Sequence, residues 1–511
     1  MDGEVRGSKV GVTAVVMLAA LMAMVDISIV NVALSDMRAS FGTPLDQIGW
    51  VSTGYMMANI VVIPMTGWFQ RRFGYKRYFA ASVAVFTIAS ALCGVAWNLP
   101  SMVVFRALQG LGGGAIIPTA QSILFARYPK AEHGLAAGLF GLGAITGPLL
   151  GPTIGGYLID WFSWHWIFLV NVPIGIVVAI LAVRFIEQPG FSPPKERIDT
   201  FGIALLVIGM PALQYVLEEG NREGWFESTT ITLLACVAAI SLIGFVVHEL
   251  ETETPVVDLS VFKNRSYASG TGINLLTGLT LFGSSYLFSL YCGAIMGYTA
   301  KDIGRVFLVA GVAQIVLMPL VGRLAPKLDA RLLLGVGVVV VTASQVMAAR
   351  LTAQSGFWDL VAPQMVRSVG LSFVFIPVSV LALSDLSSEK RGNATGLFNL
   401  TRELGGSLGT AWMGTVVADG AKIHGSQLGD HVSRLDPQTQ ERLATLRAVG
   451  QRNWTGDGVP ELLLTLKTKG QALVLAFEDG FRRTALVFAV AMILVLLLRK
   501  PKAGPVQVDA H

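Results

Sequence analysis

Long apolar runs separated by short polar turns dominate the chain, at roughly 10–34, 47–68, 77–97, 101–123, 134–158, 166–186, 199–218, 229–248, 267–290, 303–322, 332–350, 359–381, 393–416 and 483–498. At 1.5 Å of rise per helical residue and ~30 Å of hydrocarbon to cross, they predict about fourteen transmembrane helices. One longer polar interval, 418–480, interrupts the series. Its Leu462–Leu475 part is amphipathic rather than continuously apolar, which predicts an external loop carrying a helix, and no span. The first run follows a short basic stretch, Met1–Lys9, and continues to Leu34. That is too long for the core of a signal peptide, so a retained first span is expected.

The turns sort by charge. Arg71, Arg72, Lys76 and Arg77 fall on one side with Arg127 and Lys130, with Arg323, Lys327 and Arg331, with Lys390 and Arg391, and with Arg499, Lys500 and Lys502, provided the span count is even. Cytoplasmic loops collect Lys and Arg, so both termini are expected in the cytoplasm. The opposite turns carry Asp36 and Asp46, or Glu218, Glu219 and Glu223. The acidic turn at Glu249, Glu251 and Glu253 is a mild exception, because acids count little in this rule. The two halves also repeat. Gly67–Arg72 after the second span matches Gly322–Lys327 after the tenth, 255 positions on, and Arg106 in the fourth span matches Arg367 in the twelfth, 261 positions on. This predicts a six-helix bundle over 1–190, two linker helices over 195–250 and a second six-helix bundle over 262–511 that includes the external segment 418–480. Repeated halves of this kind are the usual construction of secondary transporters.

Composition narrows the class. Of 511 residues, 53% are hydrophobic and 14% charged. Soluble domains carry roughly 25% charged residues, so a water-facing surface cannot be covered and a soluble multidomain enzyme is excluded. The 56 glycines exceed the roughly 36 expected at about 7% usage and suit closely packed helices. The net charge of +5 belongs to cytoplasmic loops rather than to a nucleic-acid surface. Cys93, Cys236 and Cys292 lie in apolar runs without metal-like spacing, and His133, His165, His248, His424, His431 and His511 show no metal-ligand pattern. No Gly-rich phosphate loop with a following Lys-Ser/Thr is present, which argues against ATP-driven transport. No nucleophile motif or concentrated catalytic cluster argues for a membrane-embedded enzyme.

The remaining chemistry lies in the few charges inside spans. Asp26, ~22 Å into the first run, must be protonated, paired or facing water, since an unpaired carboxylate there costs several kcal/mol. Either it couples to protons or binds cations, or it ends the span near the outer headgroups. Arg106 needs a carboxylate or several carbonyls around it, or else it reaches a headgroup, and Gln109 stands one turn beyond it. Arg402 and Glu403 lie ~15 Å into the thirteenth run and point about 100° apart, so a shared partner is not expected. Either Glu403 is a second cavity acid that attracts cations, or that helix starts later and both are interfacial.

Four segments carry a wider pattern. Val25–Leu34 contains Asp26 and Asn31, and Phe105–Gly112 contains Arg106 and Gln109 in the spacing R-x-x-Q-G-x-G. Gly143–Gly156 is a dense string with Gly143, Gly147, Pro148, Gly151, Pro152, Gly155 and Gly156, and Gly67–Arg77 contains Gly67, Arg72, Gly74 and Lys76. Together these resemble the major facilitator superfamily, specifically its fourteen-span drug:proton antiporters of the EmrB/QacA type. They look like that group's first-span signature, its fourth-span motif, the fifth-span string that marks exporters, and the cytoplasmic hinge G-x-L-A-D-R-x-G-R-K. The hinge departs from the pattern at Gln70 and Arg71, where Ala and Asp are usual, so the acidic latch is missing. Trp164–Gly175, with His165 as an interface anchor, and Tyr286–Tyr291 are similar to stretches of the same group, with Cys292 where Gln is common.

The resemblance implies an all-α polytopic membrane protein with the major facilitator fold, two six-helix bundles plus two extra helices. It implies proton-coupled efflux of amphipathic or cationic drugs by alternating access. Asp26 and Arg106 would couple protons; Asn31, Gln109, Glu403 and Tyr286 would face the substrate cavity. The glycine and proline motifs would carry the movement, and the proton gradient rather than a cofactor would supply the energy. A dedicated metabolite, lipid, siderophore or endogenous antibiotic would use the same fold. The implied location is the bacterial cytoplasmic (inner) membrane, surrounded by lipid. A periplasmic adaptor and an outer-membrane channel are candidate partners for the 418–480 segment, which would serve equally as a lid.

Overall fold

The computed structural model describes residues 9–129, 132–188, 191–192, 198–325, 327–383, 386–430, 437–450 and 459–498, and among these residues the chain is helical with no strand. A first group comprises α1 (Lys9–Phe41), the short α2 (Leu45–Ile48), α3 (Trp50–Phe73), α4 (Tyr75–Cys93), α5 (Leu99–Arg127), α6 (His133–Trp161), the short α7 (Trp166–Leu169) and α8 (Asn171–Phe185). A hairpin of α9 (Thr200–Glu219) and α10 (Thr229–Glu251) follows. The second group comprises α11 (Arg265–Ala294), α12 (Ala300–Leu324), α13 (Ala330–Ala348), α14 (Phe357–Leu383), α15 (Ser388–Asp430), α16 (Pro437–Gly450) and α17 (Val459–Leu497). In the first group α1 packs on α6, α3 and α4 pack on α5, and α8 packs on α4. In the second, α11 packs on α15 and α17, α13 on α14 and α17, and α12 on α14. The groups meet where α6 lies on α12 and where α3 and α5 lie on α15.

Side-chain caps start these helices. Asn98 with Ser101 and Thr299 with Asp302 form reciprocal capping boxes for α5 and α12, while Asp199, Asn264 and Asp329 cap α9, α11 and α13. The caps satisfy N–H groups that a helix start otherwise leaves open beside an apolar phase.

Ten helices among the described residues are long and apolar enough to cross a membrane. Of the other long ones, all on expected spans, α3, α5 and α15 are richer in glycine or polar side chains, whereas α6 is rich in glycine but otherwise apolar. The reason is their surroundings. α5 is buried at nearly every position from Gln109 to Phe125, whereas α10 exposes Leu233, Ile240, Ile243 and Leu250. A lipid-facing helix must be apolar outward; one enclosed by helices needs small residues for close contact.

The 418–480 interval carries far more helix than a loop with one helical piece. α15 runs on to Asp430, α16 follows, and α17 takes in Leu462–Leu475 as its first turns. The extensions of α15 and α17 pack on each other, with Gly420 against Ala476 and a 2.8 Å contact between His424 Nε2 and Asp479 Oδ2. Propagating an existing helix along a packed neighbour needs no new nucleus. Most of the expected boundary near 190–195, and the charges at Lys130 and Arg499–Lys502, lie outside the described residues.

A buried ion pair as the candidate functional site

Helices α1, α3, α4, α5 and α8 bring their polar side chains to one point. Asp26 on α1 and Arg106 and Gln109 on α5 are buried completely or nearly so. Arg106 Nη1 donates to Asp26 Oδ2 at 2.7 Å and to Gln109 Oε1 at 2.6 Å, and Gln109 Nε2 donates to Asp26 Oδ1 at 2.8 Å. Asn171, at the start of α8, donates to the same Oδ1 at 2.8 Å and to Ser90 Oγ at 3.2 Å. Arg106 Nε donates to the Val51 carbonyl at 3.1 Å, and the guanidinium carbon lies 4.3 Å from the centre of the Tyr55 ring. The i, i+3 spacing puts Arg106 and Gln109 on one face of α5. A buried ion pair persists only when its remaining donors and acceptors are met, and these contacts meet them. Asp26 does not end the span, since α1 continues to Phe41. Arg106 does not reach a headgroup.

Glycines make the convergence geometrically feasible. A Cβ on Gly110 would lie 2.4 Å from the Tyr55 carbonyl oxygen, and one on Gly114 2.6 Å from that of Asn59. On α6, a Cβ at Gly147 would lie 2.2 Å from Met24 Cβ, one at Gly151 1.9 Å from Ser28 Oγ and one at Gly155 2.7 Å from Ile29 Cγ1. Gly143 packs on the Met17 carbonyl, while Gly156 faces open space. The fifth-span string therefore seats α1 on both sides of Asp26. The side chains of Pro148 and Pro152 lie outside the described residues.

Asn171, Ser90 and Tyr55 belong to this site and were not singled out by sequence. Asn171 did carry a signal, an amide within the apolar Trp164–Gly175 stretch.

A small cavity lies beside the cluster, lined among others by Met24, Tyr55, Asn59, Asn399, Arg402 and Glu403. Arg402 Nη2 sits 3.5 Å from Glu403 Oε1. Two adjacent side chains thus bend into one space, contrary to the expectation from helical phase. α15 begins at Ser388, so the pair lies ~21 Å into the helix rather than at an interface. Of the other expected cavity residues, Gln109 is inside the ion-pair cluster. Asn31 is exposed, because five residues beyond Asp26 place it about 140° around α1. Tyr286 is 38% exposed and its hydroxyl faces Gly414 at the far part of α15, away from this cavity.

At the end that carries the basic turns, the two groups touch directly. A Cβ on Gly67 would lie 2.4 Å from Asn393 Cα, and one on Gly322 2.9 Å from the Gly134 carbonyl oxygen. Arg391 Nη1 donates to the Phe125 carbonyl at 3.2 Å, and Asn399 Nδ2 to Gln121 Oε1 at 2.7 Å. Gly74 adopts φ +80°, a conformation glycine takes freely, and Lys76 N–H donates to Gln188 Oε1 beside it at 3.2 Å. Arg71, in place of the pattern's acid, donates to the Pro255 carbonyl at 3.1 Å. The same segment is held from the other group: Asn393 accepts from the Asp258 N–H at 3.1 Å and donates to its carbonyl at 2.7 Å, and Lys390 lies 3.6 Å from the Asp258 carboxylate. Residues 255–258 therefore strap α3 to α15.

Burial pushes the Asp258 carboxyl up, but hydrogen bonds from Ser260 and the Lys390 and Arg71 charges outweigh this and hold it below the usual carboxylate range. A depressed carboxylate pKa contributes stability that is present above the ordinary value and is lost only as pH falls through the lowered one. The strap should therefore persist at about pH 5, well above the ordinary aspartate value. Asp258→Asn is expected to weaken it there and at neutral pH alike. Maleimide labelling of a cysteine placed at the buried Ala394, in a background lacking the native cysteines, should rise in the variant; unchanged labelling at both pH values would remove Asp258 from the strap.

A family model described as the Major Facilitator Superfamily matches residues 16–410. The multidrug export protein EmrB of Haemophilus influenzae is 32% identical over 499 residues, covering 98% of this chain and 97% of its own. The multidrug export protein EmrB of Escherichia coli is 33% identical over 492 residues, covering 95% and 94%. Among solved structures, the human organic anion transporter MFSD10 (TETRAN) matches with a TM-score of 0.63 at 10% identity, over 96% of this chain and all of the other, a likeness of fold alone. With its two groups of helices and a family match across most of its length, the chain belongs to the major facilitator superfamily.

Proposed function

We propose that this chain is a proton-coupled multidrug efflux antiporter of the bacterial inner membrane, a transporter and not an enzyme. In this reading it has fourteen spans, two six-helix bundles over 1–190 and 262–511, a two-helix linker over 195–250, and both termini in the cytoplasm. One observation carries the reading. A member of a transporter superfamily, similar along nearly its whole length to multidrug export proteins, holds a carboxylate and a guanidinium paired and fully buried in the bundle. Ionisable groups at such depth mark proton or substrate pathways.

Three N–H donors, from Arg106, Gln109 and Asn171, converge on the Asp26 carboxylate. Protonation from outside neutralises it and loosens Arg106, whose remaining contacts are Gln109 Oε1, the Val51 carbonyl and the Tyr55 ring. Tyr55 also lines the cavity that contains Glu403. Cargo pressing on that ring and a proton on Asp26 therefore act on the same guanidinium, which gives the two ligands a means to oppose one another. Glu403 draws amphipathic cations into the cavity. The closed basic end, fastened by the strap, is the state open to the outside, and its release exposes the cavity to the cytoplasm. The helices within the 418–480 segment offer a surface for a periplasmic adaptor that continues to an outer-membrane channel.

Drug accumulation in a host lacking its own pumps tests the proposal. Expression should lower the accumulation of several chemically unrelated cationic dyes, and a proton uncoupler should restore it. Insensitivity to the uncoupler would overturn proton coupling, and activity on a single compound would favour a dedicated exporter.

A further inference from the structure

The second group holds a counterpart of Arg106 without a counterpart of Asp26. Arg367 on α14 is 6% exposed and lies ten residues, ~15 Å, into that helix. Its Nη1 donates to Ser284 Oγ and Ser285 Oγ, each at 2.8 Å, and to the Leu281 carbonyl at 3.3 Å. Its Nε is buried and donates to nothing. Among the described residues no carboxylate lies within ion-pair distance of it, whereas Arg106 has one at 2.7 Å. The internal repeat shows what is missing. Arg367 follows Arg106 by 261 positions, and Ser284 follows Asp26 by 258. A hydroxyl thus occupies the place where the first group has its carboxylate. Two further buried acceptors have no partner here, Thr280 Oγ1 one turn before Ser284 and Gln364 Oε1 one turn before Arg367.

We propose that Arg367, Ser284 and Ser285 form a second binding site, which takes the carboxylate of an amphipathic organic anion. A buried, unpaired cation is costly, and its cost falls when a counter-charge arrives. The serine contacts all use Nη1, which leaves the Nε–Nη2 edge free. That edge matches a carboxylate side-on, through two parallel N–H···O bonds. The Ser284 hydroxyl, which accepts from Arg367 without a ligand, can turn to donate to an anion, while Ser285 Oγ accepts from Arg367 and donates to the Leu281 carbonyl at 2.7 Å. One guanidinium neutralises one negative charge, so a monoanion is preferred. The Phe307 ring, centred 5.8 Å from the guanidinium carbon, and Leu281 supply an apolar wall for the rest of such a molecule. Leu281, Ser285 and Phe307 are only half-buried, so side-chain movement opens the way to the guanidinium. The site is distinct from the cavity at Glu403 and opposite to it in charge preference.

The test is binding of tritiated dodecanoate to the full chain in phosphatidylcholine nanodiscs, at a pH where the acid is ionised. Saturable binding is expected, displaced by unlabelled dodecanoate but not by methyl dodecanoate or an equal concentration of chloride. Ser284→Asp supplies an internal carboxylate and should weaken binding by at least about ten-fold (~1.4 kcal/mol) while raising the thermal midpoint. Arg367→Lys keeps the charge but loses the fork, and should weaken binding as well. Displacement by the ester or by chloride as strong as by dodecanoate overturns the proposal. So does a Ser284→Asp protein that unfolds no lower than the unaltered chain yet binds within about two-fold of it. No efflux is measured, so the result stands apart from whether the chain exports drugs.

Discussion

Asp26→Asn is expected to abolish proton-driven efflux and to leave a folded but markedly less stable protein. Asparagine keeps the shape of the side chain, and its carbonyl can still accept from Gln109 and Asn171. Its amide nitrogen, however, would face Arg106 Nη1 across the position now bridged at 2.7 Å. Donor then meets donor, and a buried cation loses its counter-charge. Breaking a buried pair from one side costs about 3–5 kcal/mol, mostly from the charge left behind. Arg106→Gln should destabilise for the mirror-image reason. The double variant Asp26→Asn/Arg106→Gln removes both charges and should be more stable than the sum of the two single losses predicts, by about 1–3 kcal/mol of coupling. Efflux should not return, because no carboxylate remains in the cluster to take up the proton. Thermal unfolding in detergent measures the first statement, and dye efflux from everted vesicles under an imposed pH gradient measures the second. Full pH-driven efflux by Asp26→Asn would refute the coupling role, and strict additivity of the three stability losses would refute the energetic pairing.

Gly405→Ala is expected to be a strongly damaging single-methyl addition at the α11–α15 interface. The new Cβ would sit 2.1 Å from the Leu275 carbonyl oxygen, and the neighbouring contacts are as tight: Gly278 against the Arg402 carbonyl at 2.1 Å and Gly409 against that of Leu279 at 2.3 Å. The obstacle is backbone, engaged in its own helix, and no rotamer change relieves it. The helices must part, and overpacking of this kind costs roughly 1–3 kcal/mol or more. The consequence is not local. α15 also carries Arg402 and Glu403 at the cavity and Asn393 and Asn399 at the contact between the groups, so a displaced α15 disturbs all of them. Gly470→Ala on α17 is the matched control, since a Cβ there meets nothing within 4 Å. Alanine's higher helix propensity should leave that variant unchanged or stabilise it by up to about 1 kcal/mol. Yield and thermal midpoint of the two proteins decide the matter; equal losses would mean that the interface is softer than its geometry indicates.

Much was legible in one dimension. Hydrophobic run length located the long helices, and the basic turns marked one end of the bundle. The rarity of charge within spans singled out Asp26 and Arg106 before any contact was known. These are local properties: a span is apolar because lipid surrounds it, and a charge inside one needs a partner wherever that partner lies in the chain. The partners themselves were not legible. Asp26, Arg106 and Asn171 are 80 and 145 residues apart along the chain as hydrogen-bonded pairs, and Ser90 and Tyr55 look like ordinary helix residues in sequence. Asn31 lies within the same motif as Asp26 yet faces elsewhere, and Arg71, which breaks the hinge pattern, finds the Pro255 carbonyl 184 residues away. Run length and the rarity of charge mark which segments are long and apolar enough to span a membrane and which of their side chains need a partner there. Tertiary structure decided which of those side chains meet, because helix contact depends on where glycines allow two backbones to approach within a few ångströms. That register joins residues on different helices, and no spacing within a single helix encodes it.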